Sequence, residues 1–193
     1  APYAAALRLL YGRTLLLHGE PAAALPQLRR AVELEAQQGA ARSQVAAVAF
    51  LGQGQALARL GRLDEAEAAL AEALARLEGT PHRRDRAWAL VERSGVAAAK
   101  GQRALAIAHA RAAMEGIEPW GEPEHPDHAR AWAALARALR TGTPTAEEQR
   151  EAEALAERAR ASLSARGEAF SAELAELGRG LEGDDGMKSS PVP

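Results

Sequence analysis

The chain contains no cysteine and no asparagine, only two lysines (Lys100 and Lys188), and 4% aromatic residues over 193 positions. Without cysteine there can be no disulfide and no thiolate metal site. With so few aromatics there is little material for a large aromatic core, which argues against a β-sandwich. No apolar run reaches the roughly 18 uncharged residues that a membrane-crossing helix needs. Neither sign of charge dominates, since the formal net charge is −2. There is therefore no global attraction to nucleic acid or to an anionic membrane, and neither is expected as a partner.

Catalytic signatures are missing as well. There is no G-x-S-x-G elbow, phosphate loop, H-E-x-x-H pair or kinase catalytic loop. Gly52-Gln53-Gly54 falls inside a helical pattern, not at a strand–helix turn. His125 and His128 flank Asp127, but no third metal ligand is evident. The run His82-Arg83-Arg84-Asp85-Arg86 has no aromatic interleaved before Trp88, unlike a nucleic-acid surface. We expect a protein that is not an enzyme and holds no cofactor or metal. The chain begins Ala1-Pro2, without methionine, and a helical pattern has started by Ala4. The expectation is a fragment of a longer, cytoplasmic protein.

What is abundant is alanine, the residue that costs least in a helix. Its placement follows a phrase that returns about every forty residues. A small residue is followed seven positions on by a turn glycine, and then by a second helix with alanines seven apart. The clearest copy runs from Phe50 to Leu77, with Gly54 as the small residue, Gly61 as the turn, and Ala66 and Ala73 on the second helix. Turn glycines recur at Gly19, Gly61, Gly101 and Gly142, spaced 42, 40 and 41. Such a period means stacked helix pairs that bury a continuous core only together.

The spacing predicts an all-α solenoid over residues 1–182. It comprises four helix pairs (2–38, 41–78, 81–117 and 126–166) and a capping helix at 168–182. That last helix carries Phe170, Leu174, Leu177 and Leu181 on one stripe. The tail, 183–193, has almost no bulk and is expected to be disordered. Local punctuation agrees. Pro21 suits a first helical position, Thr80 before Pro81 reads as a helix start, and Thr145 with Glu148 fits a capping box.

These residues resemble the tetratricopeptide repeat family. There, a small residue on the first helix faces an alanine on the second, and a later alanine meets the next repeat. The first set is Gly12, Gly54, Ser94 and Ala136 here. The second is Ala24, Ala66, Ala106 and Ala152, and the third is Ala31, Ala73, Ala113 and Ala159. Helices cross at these places, so only small side chains fit. The long period is similar to the kinesin-light-chain-like subtype, where a His-Pro-Asp phrase often precedes a first helix, as at Glu124-His125-Pro126-Asp127. HEAT and armadillo repeats share the period but fit the turn glycines and spaced alanines poorly. Residues 132–139, 151–161 and 172–181 look like the ends of bacterial multidomain proteins in which such arrays follow a serine/threonine kinase domain.

The resemblance implies a right-handed superhelix of four repeats plus a cap, binding a protein or peptide within a larger bacterial signalling or regulatory protein. An alternative it allows is the helical recognition or regulatory arm of an enzyme whose catalytic part lies outside these residues. It also implies that the first helices line a concave ligand face. That face would carry Arg13, Leu16 and Leu17, then Gln55 and Arg59, then Trp88 and Val91, then Arg130, Arg137 and Arg140. Forked arginine donors and an indole suit an acidic peptide, although the same arginines also read as an ordinary solvated surface. The two-carboxylate clamp of chaperone-binding members rests on lysine and asparagine, and this chain lacks the means to build it. Self-association through exposed end repeats is a further expectation, because Ala4-Ala5-Ala6-Leu7 with Leu9 and Leu10 looks uncapped.

Overall fold

The computed structural model of the chain describes residues 3–40, 43–117 and 126–164. Every regular element among them is an α-helix. They are α1 (Ala4–Leu17), α2 (Pro21–Gln37), α3 (Gln44–Arg59), α4 (Leu63–Leu77), α5 (Arg83–Ala99), α6 (Arg103–Ile117), α7 (Pro126–Arg140) and α8 (Ala146–Ser164). They form four consecutive pairs. The expected capping helix at 168–182 and the tail lie outside the described residues.

The turn glycines stand where first helices end. Gly61 has φ +73°, a left-handed conformation that only glycine adopts at little cost. Its N–H donates to the Ala58 carbonyl at 3.0 Å and the Arg62 N–H reaches back to Leu57 at 2.9 Å. This closes α3 with a Schellman turn. The same turn recurs at Gly19 and Gly101. At Gly142 the left-handed φ is kept.

Two helix starts differ from the sequence expectation. α3 begins at Gln44, not near 41, because the Ser43 hydroxyl accepts from the Ala46 N–H at 3.0 Å and caps the helix. α5 begins at Arg83, not at Pro81. Thr80 bridges the two helices: its hydroxyl donates to the Leu77 carbonyl at 2.8 Å and accepts from the N–H of His82, the residue before α5, at 3.3 Å. The capping box of α8 forms as read: Glu148 N–H donates to Thr145 Oγ1 at 3.2 Å, and Thr145 N–H donates to a Glu148 carboxylate oxygen at 2.7 Å.

The core is made of small residues at fixed places. Ala24, Ala66, Ala106 and Ala152 are fully buried, as are Ala31, Ala73, Ala113 and Ala159. On the first helices the matching residues have no room to grow. A Cβ on Gly12 would stand 2.7 Å from Leu28 Cγ, and one on Gly54 would stand 2.5 Å from Leu70 Cγ. In the third repeat a serine is accommodated. The residue in the place of Leu28 and Leu70 is now Ala110, and the Ser94 hydroxyl donates to the Ala106 carbonyl at 2.9 Å. In the fourth, Ala136 faces a second helix carrying Ala156. Size on one helix is thus traded against size on the other, within each repeat.

Successive first helices touch one another: α1 with α3, α3 with α5, and α5 with α7. Among the described residues the backbones of second helices stay apart, and consecutive second helices reach each other only through long ion pairs, Arg29 with Glu65 at 3.9 Å and Arg111 with Glu151 at 3.7 Å. The double layer therefore bends with the first helices on its inner, concave side. Polar side chains stitch neighbouring repeats together. Arg59 donates to the Leu16 carbonyl at the end of α1, at 2.6 Å. Lys100 pairs with Asp64 at 2.8 Å and Glu67 at 2.6 Å. Arg103 donates to the Thr141 and Leu139 carbonyls at 2.8 and 3.2 Å, and pairs with Glu148 at 2.7 Å. Cations at carbonyl-rich helix ends are favoured by the helix dipole.

Candidate binding groove

Three first helices enclose a groove on the concave side, lined by Arg13 of α1, by Val48, Leu51, Gly52 and Gln55 of α3, and by Arg84, Asp85 and Trp88 of α5. Its shape follows from the repeat. Gly52 lets α3 pack closely on Leu28 of α2 behind the groove, and the polar and aromatic lining comes from Arg13, Gln55, Arg84, Asp85 and Trp88. Three expected ligand residues, Arg13, Gln55 and Trp88, are brought together here. Val48, Leu51, Arg84 and Asp85 were not anticipated. Their signal was available, because Leu51, Arg84 and Asp85 lie about one turn, and Val48 about two turns, from expected positions on the same helices.

The remaining expected residues are placed differently. Leu16 is 5% exposed and belongs to the core. Val91 is half-buried and packs against the core of the last two repeats. Leu17 is 88% exposed but does not line the groove. Arg59 is engaged with the α1 carbonyl end, as described above. Arg130 lies 4.5 Å over the Trp88 ring and 3.6 Å from Asp127. Arg137 and Arg140 sit at the C-terminal end of α7. Their side chains make no hydrogen bond or ion pair among the described residues.

Asp127 organises the far wall. It is 2% exposed and lies in the first turn of α7, where a carboxylate also meets the positive end of the helix. Arg84 Nε pairs with it at 2.7 Å, and the Trp88 indole N–H donates to it at 3.1 Å. The Arg84 guanidinium lies 5.5 Å from the Trp88 ring. Trp88 therefore offers the groove a fixed ring, its N–H already spent. The phrase that resembled a family signature has this physical role here: it ties the third repeat to the fourth. His128, beside it, packs on Trp132 with centroids 5.8 Å apart, while His125 lies outside the described residues.

Two further carboxylates, in and beside the groove, are held by neutral amides. Asp85 accepts from Gln44 at 2.8 Å, and Glu92 accepts from Gln55 at 2.9 Å. The Arg13 side chain makes no hydrogen bond or ion pair among the described residues. The resolved pKa shifts fall on residues away from the groove, within repeats as well as between them. Glu148 is lowered to about 2, first by the Thr145 backbone N–H and then by Arg103. His109 is lowered by burial and by Arg93, against an opposing pull from Glu67. Its Nε2 is buried without a hydrogen-bond partner among the described residues.

Stacked helix pairs with a groove along the inner layer define a TPR-like helical-repeat fold. Among solved structures, the chain is similar to a Podosopora anserina kinesin light chain described as having nearly identical TPR-like repeats. The identity is 18%, over 98% of this chain and 99% of that one, with a TM-score of 0.67. A single-substitution variant of that protein matches with the same identity and TM-score over 93% of this chain and 84% of its own. Likeness at this identity shows the fold. No family model and no curated protein matches the chain. No helix among the described residues is long and apolar enough to cross a membrane.

Proposed function

We propose that the chain is a non-catalytic interaction scaffold that holds an extended peptide segment of a partner protein in the groove between α1, α3 and α5. The observation that carries this reading is the lining itself. It has an apolar floor of half-buried Val48 above the buried Leu51, a locked indole at Trp88, and a guanidinium at Arg13 with no competing partner among the described residues. Such a surface suits an extended segment with apolar side chains and a carboxylate placed to meet Arg13. The acidic preference narrows to that one cation, because Arg59, Arg84 and Arg130 are already engaged. A second copy of the chain is a further partner in this reading, at the first repeat and away from the groove.

The test is selection of binding peptides from a random displayed library, followed by affinity measurement. Enriched peptides should share an acidic residue beside apolar ones. Arg13→Ala should weaken them by about 1.5–3 kcal/mol, the range for a hydrogen bond to a charged group. Absence of enrichment, or binding left unchanged by both Arg13→Ala and a Trp88→Ala companion, would overturn the proposal. The bacterial signalling context rests only on the likeness of residues 132–139, 151–161 and 172–181 and is tested by reading the coding DNA upstream of Ala1. A kinase domain there would make this array its recognition arm.

A further inference from the structure

The first helix carries an apolar face that nothing among the described residues covers. Tyr3 is 74% exposed, Leu7 64%, Leu10 57%, Tyr11 52% and Leu17 88%. The buried residues of the same helix are Ala5, Leu9, Gly12 and Leu16. At 100° per residue the two sets lie on opposite sides of the helix. An uncovered patch this size on one element is a mark of association.

The repeat itself says what would ordinarily cover such a face. Translating α1 onto α3, α5 and α7 places Leu7 on Ala49, Ala89 and Ala131, which are at most 1% exposed. The same translation places Leu10 on Gly52 and Ala134. In the second repeat this face is buried against α2. Leu28 of α2 comes so close that a Cβ on Gly52 would stand 2.9 Å from its Cδ2. An internal junction therefore carries alanine where α1 has Leu7, and glycine or alanine in two of three cases where it has Leu10. The α1 face is too bulky for a helix stacked as α2 stacks on α3.

The spacing of the face points elsewhere. Tyr3, Leu7, Leu10, Thr14 and Leu17 alternate at intervals of four and three, the seam along which two similar helices pack knobs into holes. Large side chains on both partners suit that geometry, whose helices stand further apart than alanine junctions allow. At about 150–250 Å² for a large side chain, the five exposed residues present roughly 600 Å² per copy. A symmetric pair would cover about 1,200 Å², the lower bound of a stable interface. A self-complementary patch of this kind closes a two-fold dimer and stops there.

We infer that this face is a homodimer interface, with α1 packing against α1 of a second copy through Leu7 and Leu10. The inference gives a geometry to the self-association proposed above and does not depend on the peptide groove. The test is sedimentation equilibrium of the 193-residue chain across a hundredfold range of concentration. The wild-type chain should show a dimer that dissociates on dilution. Leu7→Glu and Leu10→Glu should each weaken association at least tenfold with unchanged helical content by circular dichroism. Leu105→Glu, at an exposed leucine on α6, should leave the dimer intact. A monomeric wild-type chain at every concentration would overturn the inference and leave the face to a different helix. A dimer that survives both α1 substitutions would also overturn it, by placing the interface elsewhere. Because both leucines are more than half exposed, the substitutions fall outside the core. Should one variant lose helical content, the other still decides.

Discussion

Substituting Gly54 by alanine tests the size trade inside a repeat, because the expected effect reverses with the residue opposite. A Cβ on Gly54 would lie 2.5 Å from Leu70 Cγ and 2.6 Å from Cδ2, against about 3.5–4.0 Å for comfortable carbon contact. Leu70 is fully buried, so it cannot swing into solvent. Overpacking of this kind costs about 1–3 kcal/mol, while alanine gains about 1 kcal/mol over glycine in a helix interior. The net expectation for Gly54→Ala is a loss of up to about 2 kcal/mol. Leu70→Ala alone should cost about 2–5 kcal/mol through the cavity it leaves. In the Leu70→Ala background the clash is gone, so Gly54→Ala should stabilise by about 1 kcal/mol. The third and fourth repeats already carry this compensated arrangement, as Ser94 with Ala110 and Ala136 with Ala156. Urea unfolding followed by far-ultraviolet circular dichroism gives the four stabilities. Amide exchange in α3 and α4 reads the same cycle locally if the array unfolds in parts. An equal effect of Gly54→Ala in both backgrounds would refute the reasoning.

Other perturbations probe the junctions. Asp127→Ala removes the buried acceptor of Arg84 and Trp88. Because Arg84 is 54% exposed and can be resolvated, the expected cost is about 2 kcal/mol, below that of a fully buried pair. Urea midpoints check the cost, and an unchanged midpoint would show that the α5–α7 tie is not held by this carboxylate. Glu148 has its carboxyl lowered to about 2 by Thr145 and Arg103. Its contribution is therefore fully present above the ordinary pKa near 4.5 and is lost as pH falls toward 2. Glu148→Gln should flatten that part of the acid-unfolding curve, and superimposable curves would count against the assignment. His109 acts in the same direction at a higher pH. Burial lowers its pKa, so the unfolded chain takes up the proton first, and stability should decline as pH drops below about 6.5. The groups facing it are Arg93 and Glu67. His109→Gln should reduce the difference in urea midpoint between neutral and mildly acidic buffer, and an identical difference in both proteins would exclude His109 as its source.

The fold was legible because its determinants are local and repeated. A turn glycine with left-handed φ, a small residue seven positions before it, and alanines seven apart on the next helix are steric requirements, and sterics leave marks in sequence. Helix starts were less legible. Ser43 and Thr80 each serve both neighbouring helices, Ser43 donating to Glu35 of α2 while it caps α3 and Thr80 donating to Leu77 of α4 while it accepts from His82 before α5, and only the packed structure shows this. The groove was legible in part. Arg13, Gln55 and Trp88 are where the repeat placed them. The engagement of Arg59 with the α1 end could not be read, because it depends on how one repeat meets the next. The same holds for Asp127, whose partners are about forty residues away in sequence. A repeat pattern gives the position of a side chain on its own helix; whether that side chain is free depends on the neighbouring one.

The alanine content bears on function as well as architecture. In a protein whose helix junctions require alanine or glycine, each large apolar side chain left outside a junction needs a separate reason. Scattered exposed apolar residues are ordinary on protein surfaces, but here they are concentrated. Val48 and Trp88, both only partly buried, gather in the groove on the inner layer. Tyr3, Leu7, Leu10, Tyr11 and Leu17 gather on one side of α1. The first group lies where the bend of the array makes a concavity, and the second where the repeat would otherwise place an alanine face. Two surfaces of different shape imply two modes of contact. The groove takes an extended segment along the array, while the α1 face takes a helix across its end. Because α1 contributes Arg13 to the groove and Leu10 to the adjoining face, dimerisation through that face would fix the helix that carries the groove's unengaged cation. Leu10→Glu should then weaken peptide binding only under conditions where the wild-type chain is dimeric. A loss of the same size at dilutions where the wild-type chain is monomeric would show that the two surfaces are not linked through association.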